Sequence, residues 1–103
     1  MLLYCTTTKV ALSIHDEWLA WMQEVYLPQL LESGFFQAYT LAKLLGYDES
    51  DGPTYSLQLV VKDQKSFDIY HQTLAPKDEA LQKARFGQEA LRFSTLLSVV
   101  SKG

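Results

Sequence analysis

The chain has 103 residues, 48% of them hydrophobic and 20% charged, with 9 Lys and Arg against 12 Asp and Glu and a net charge of −3. That composition excludes a disordered chain and suits one folded domain spanning residues 1–103. The acidic balance and scattered basic residues exclude electrostatic capture of nucleic acid or an anionic membrane, so neither is expected as a partner.

Segment LLYCTTTKVAL (2–12) is rich in β-branched and aromatic residues without helical period and is expected to be a strand. Its Cys5 is the only cysteine, which rules out an internal disulfide and fits a reduced, cytoplasmic compartment. The opening MLLYCTTTKV has neither a basic region nor a long apolar run, so no secretory leader is expected. No apolar run approaches the roughly 20 residues of a membrane-spanning helix.

Ser13 is placed to cap a first helix, with Asp16 and Glu17 in its first turn and apolar residues at 14, 18, 21, 22 and 25. Pro28 is expected to kink or break that helix, and Gly34 to end it. FFQAYTLAKLLGY (35–47) is expected as a second strand and DESDGP (48–53) as a hairpin tip. TYSLQLVVK (54–62) alternates Tyr55, Leu57, Leu59 and Val61 with more polar neighbours, the mark of a strand with one buried face. Asp63 or Ser66 can cap a second helix carrying Phe67, Tyr70, His71 and Leu74. Pro76 interrupts it, Leu81, Ala84 and Phe86 extend its apolar side, and Gly87 closes it. LRFSTLLSVV (91–100) supplies the last strand.

The order β-α-β-β-α-β describes an α+β, ferredoxin-like domain: a four-stranded antiparallel sheet, strands 1 and 3 central, with both helices on one face. The other face then needs a cover. Phe35, Tyr39, Leu41 and Leu45 fall on one side of strand 2, and Phe36, Ala38, Ala42 and Leu44 on the other. Strand 4 likewise splits Phe93, Leu97 and Val99 from Leu96 and Val100. Apolar residues on both sides point to a homodimer paired through the open sheet face. Thr6, Thr8, Ser56, Gln58, Ser94 and Ser98 are candidate polar members of that face.

The stretches EWLAWMQEVYLP, GFF, DGPTYSLQ, APKDEALQKARFG and FSTLLSVV resemble a bacterial family known as domain of unknown function 4286. The resemblance covers nearly the whole chain, and EW-x-x-WM and DGPTY are its most specific parts. It implies a ferredoxin-like fold near the dimeric α/β-barrel proteins, a group that includes cofactor-free quinol monooxygenases, haem-degrading monooxygenases and small isomerases. It carries over no activity. Many members carry His where this chain has Tyr26, a departure that weakens any mechanism needing an imidazole there.

Among the residues themselves, His71 is the candidate acid–base group, because its ordinary pKa lies near neutrality; the alternative is an exposed helix histidine. His15 is expected to be a solvated residue at a helix end. The two histidines and one cysteine lack metal-ligand spacing, and the acidic cluster at 48–51 does not match a calcium loop, so neither metal nor cofactor is expected. Trp18 and Trp21, three apart with Met22 and Val25, form a broad helix stripe that is either core or the lining of a ligand site. Tyr26 and Tyr70 join them as lining candidates. Two functions follow: a small, soluble dimeric module that binds itself and a small ligand, or a cofactor-independent monooxygenase- or isomerase-like enzyme acting on a small aromatic or quinol-like molecule. Haem ligation by His71 is a third reading.

Overall fold

A computed structural model of the chain describes residues 1–46 and 48–103; the expected reach of the second strand to Tyr47 lies outside them. The elements are β1 (Leu2–Val10), α1 (His15–Trp21), a π-helical turn (Met22–Tyr26), α2 (Leu27–Glu32), β2 (Phe36–Lys43), β3 (Thr54–Val61), α3 (Gln64–Thr73), α4 (Ala75–Phe86) and β4 (Ala90–Ser98). The sheet runs β2-β3-β1-β4, antiparallel throughout, with β1 and β3 in the centre as the strand pattern requires. The fold is the ferredoxin-like α+β arrangement.

The alternation of β3 sets the layering. Tyr55, Leu57, Leu59 and Val61 are buried under the helices, packed with Trp18, Trp21, Met22, Leu27, Leu30, Phe67, Tyr70 and Phe86. The register then assigns every other strand residue to a face. Thr6 pairs with Leu57 and Ser94, and Thr8 with Tyr55 and Arg92, so these polar residues lie on the helix side. Ser98, opposite Leu2, shares that side. The expectation that Thr6, Thr8, Ser94 and Ser98 line the open face is therefore corrected; Ser56 and Gln58 do lie there.

A bulge between Phe36 and Ala38 corrects the reading of strand 2. One extra residue reverses the parity, so Phe36 joins Tyr39 and Leu41 on the helix side. The open face of β2 is left with the small residues Ala38, Thr40 and Ala42. Large apolar groups on that face gather instead along β4, where Leu91, Phe93 and Leu97 are exposed.

Two of the expected helix signals act differently from the sequence reading. Ser13 does not cap α1: it sits in a short 3-10 turn and its hydroxyl donates to Glu89, while Ile14 holds the cap position without a side-chain bond. The cause is the chain leaving β1, where the Ala11 amide donates to the Glu89 carbonyl at 2.8 Å and brings Ser13 alongside. Pro28 does not end the helical run, which continues through α2 to Glu32. The π turn immediately precedes it, and that wider turn accommodates a proline ring that would crowd the carbonyl four residues back. Val25, expected in the buried stripe, is rotated out and is 41% exposed, whereas Tyr26 is buried.

The second helical pair begins as expected. The Asp63 carboxylate accepts the Ser66 amide at 2.7 Å. The helix divides at Leu74, with Pro76 in the first turn of α4 and Gly87 at its end with φ +58°. Leu81 and Ala84 are exposed rather than apolar anchors. The side of α4 turned inward carries Ala75, Asp78, Gln82 and Phe86.

Candidate functional site

That inward row is chemically unusual, because spacing of three and four residues normally marks a core stripe. Here two of its four members are polar. Asp78 and Gln82 face a partly open cavity of about 50 Å³ between the helices and the sheet, with room for a few waters or a molecule of a few heavy atoms. β1 and β4 supply its polar floor: the Thr6 and Ser94 hydroxyls are hydrogen-bonded at 2.8 Å. Leu57 and Leu59 from β3 and Met22 from the π turn supply apolar wall.

Tyr26 and Tyr70 complete the polar end. The Tyr26 hydroxyl donates to Asp78 Oδ2 at 3.2 Å, and Tyr70 faces the same carboxylate. Burial raises the Tyr26 hydroxyl far above the ordinary phenol range, helped by the nearby Tyr70 and Asp78. Burial likewise raises Tyr70, with Asp78 adding to it. Both phenols are therefore neutral donors at any physiological pH. Asp78 is pushed above the usual carboxylate range by desolvation, which outweighs its hydrogen bonds from the two tyrosines and the field of Arg92. A carboxylate in that state is a better base than one on the surface.

Trp18 presents the complementary group. It is 1% exposed, lines the cavity, and its indole Nε1 has no hydrogen-bond partner. Among the described residues it is the one fully buried side-chain nitrogen or oxygen left in that condition. An orphaned buried donor is costly, of order 1–3 kcal/mol. Trp18 also packs on Tyr55, whose hydroxyl lies 2.6 Å from His15 Nε2 with the two rings stacked. His15 is thus a half-buried second-layer residue rather than a solvated helix end.

At the outer edge Arg92 pairs with Glu79. Arg92 is mostly buried while the Glu79 side chain is 69% exposed, so the ion pair forms a polar rim. Glu79, Gln82 and Arg92 also line an adjoining outer depression of about 380 Å³. These three side chains are the partition between inner cavity and outer depression.

Of the residues singled out from sequence, Trp18, Tyr26 and Tyr70 come together around this cavity. Trp21 does not line it. It is buried behind Tyr26, stacked on that ring at 5.0 Å and edge-on to Phe86. His71 is exposed on α3, lies outside the cavity and packs over Phe67. Sequence reasoning missed Asp78, Gln82 and Arg92. The available signal was the polar pair Asp78 and Gln82 in phase with Ala75 and Phe86. Among the described residues no group of three His, Cys, Asp or Glu is arranged to hold a metal, and no helix is long and apolar enough to cross a membrane.

Comparison with known proteins agrees with this architecture. The family described as domain of unknown function DUF4286 matches residues 1–100. No curated protein matches the sequence. Among solved structures, HapK from Hahella chejuensis superposes with a TM-score of 0.71 at 11% identity, covering 100% of this chain and 96% of that one. A dimeric ferredoxin-like protein from an uncultured marine organism gives 0.67 at 11% identity, covering 100% and 98%. A second such protein, also from an uncultured marine organism, gives 0.60 at 13%, covering 99% and 97%.

Proposed function

The chain belongs to the DUF4286 family, and on that footing we propose that it is a homodimeric module that binds a small uncharged molecule between its helices and sheet. The ligand carries a carbonyl or hydroxyl oxygen on a compact, largely apolar frame. One observation supports this reading: the Tyr26–Asp78 hydrogen bond and the polar side chains of Thr6 and Gln82 border the same cavity as the Trp18 ring and an apolar wall. A ligand oxygen bonds to these polar groups, and the leucine and methionine walls accept the rest of the molecule.

The test is an NMR titration of the Trp18 indole resonance, assigned by Trp18→Phe, with acetone and with 2-propanol. Binding shifts that resonance selectively and leaves the protein's response unchanged in His71→Ala. No shift with either compound overturns the reading.

The dimer uses the open sheet face. Leu91, Phe93 and Leu97 form an exposed apolar edge along β4, and two similar structures are described as dimeric ferredoxin-like proteins. Light scattering coupled to size exclusion is expected to give twice the chain mass, and Phe93→Arg to halve it. A monomeric unmodified protein overturns this part.

A further inference from the structure

We infer that the outer depression between α4 and β4 binds a small organic carboxylate, with Arg92 and the Gln82 carboxamide as donors and Glu79 as the group displaced. The inference goes beyond the binding reading above, since it concerns a charged ligand on the outer side of the partition.

The first observation is a local charge imbalance. In a chain of net charge −3, Lys83 and Arg92 line the depression against the single carboxylate of Glu79. Lys83 makes no ion pair among the described residues. It stands in the last turn of α4, where its charge offsets the carbonyl end of that helix.

Gln82 supplies a second, independent observation. It is 7% exposed, yet its carboxamide makes no hydrogen bond among the described residues. Trp18 Nε1 is the one fully enclosed polar side-chain atom without a partner, so the Gln82 amide is reachable from the two spaces it borders. Buried amides are normally hydrogen-bonded, and the NH2 end of this one is a donor for an anionic oxygen.

Arg92 is the third. Its guanidinium offers five N–H donors in a planar fork that matches a carboxylate, and the bond from Nη2 to Glu79 Oε2 uses one of them. The pair is unequal, because Arg92 is mostly buried and Glu79 is mostly exposed. Glu79 is therefore the member that turns out to water at little cost. An incoming carboxylate replaces that single bond with a bidentate one and adds a bond from Gln82. At about 380 Å³ the depression accepts an acid built on one ring, with Ala90 as apolar surface.

The test titrates sodium benzoate into the protein at constant ionic strength. It follows the Arg92 Nε–H and Gln82 carboxamide resonances, assigned with Arg92→Lys and Gln82→Leu. Benzoate is expected to shift both saturably, and benzamide, its uncharged counterpart, to leave them in place. Glu79→Gln removes the competing carboxylate and is expected to tighten benzoate binding by about 2- to 5-fold, the worth of an exposed ion pair. Lys83→Gln is expected to weaken it by a similar factor. Absence of a saturable benzoate shift overturns the inference. So does an affinity that Glu79→Gln leaves unchanged, or an equal response to benzamide. The Trp18 indole resonance, read in the same protein with acetone and 2-propanol, reports separately on the inner cavity. A benzoate response beside an unmoved Trp18 resonance supports this inference while the uncharged-ligand reading falls, and the reverse pattern overturns this inference alone.

Discussion

Tyr26 and Asp78 meet across the cavity, the Tyr26 hydroxyl donating to Asp78 Oδ2 at 3.2 Å and joining the π turn to α4. Tyr26→Phe keeps the ring stacked on Trp21 and deletes only this bond. The loss is expected to cost about 1 kcal/mol in urea denaturation at neutral pH. Without its donor, Asp78 should titrate at still higher pH, which carbon-detected NMR of the carboxyl reads directly. A downward shift would contradict the assigned role.

Asp78 itself sets a pH dependence with a definite sign. Its folded-state pKa is raised above the unfolded value, so over the interval between them the folded protein binds more protons. Its contribution to stability is therefore fully present below the unfolded pKa and is lost as pH rises through the folded one. Asp78→Asn should remove this component. The stability of the variant relative to the natural protein is expected to improve steadily from acid toward neutral pH, measured by denaturant titration across that range.

Trp18 is the largest fully buried side chain and bridges Tyr55 and the cavity. Trp18→Ala is expected to destabilise the protein by about 3–5 kcal/mol, the range for emptying a large aromatic site. Trp18→Phe should cost much less, since it removes an unsatisfied donor together with part of the packed area. Calorimetric unfolding of the pair separates the two contributions.

Gly52 marks a backbone contact that admits no side chain. Its φ is +137°, and a Cβ there would lie 1.9 Å from the Val10 carbonyl oxygen. The neighbouring Pro53 carbonyl accepts the Val10 amide at 2.9 Å, so the hairpin cannot withdraw without losing that bond. Gly52→Ala is expected to cost more than about 1 kcal/mol, read as a lowered melting temperature.

The sequence carried the scaffold because its strongest signals are local and regular. The alternation of Tyr55 to Val61, the Asp63 cap and the closing glycines Gly34 and Gly87 act over a few residues and survive packing. What escaped were departures of a single residue. The bulge after Phe36 and the π turn after Trp21 each shift the phase of everything beyond them, and a uniform period hides both. The site escaped for a related reason. In APKDEALQKARF, Asp78 and Gln82 read as ordinary solvated helix residues, and Leu81 competes for the apolar face. Only the assembled sheet shows that the polar pair is inside. His71 drew notice for its intrinsic pKa, a property that carries no information about which way the ring faces.

The π turn also bears on how relatives of this chain should be compared. In a 3.6-residue helix, four residues overshoot one turn, and the wider turn at Met22–Tyr26 takes up that overshoot, bringing Tyr26 back into line with Trp18. A homologue one residue shorter between Trp21 and Tyr26 would place its equivalent of Tyr26 seven residues after Trp18, two turns of a regular helix, and keep it facing Asp78. A one-position gap in an alignment here is therefore the loss of the wide turn alone, with the cavity-facing side chains before and after it kept in phase.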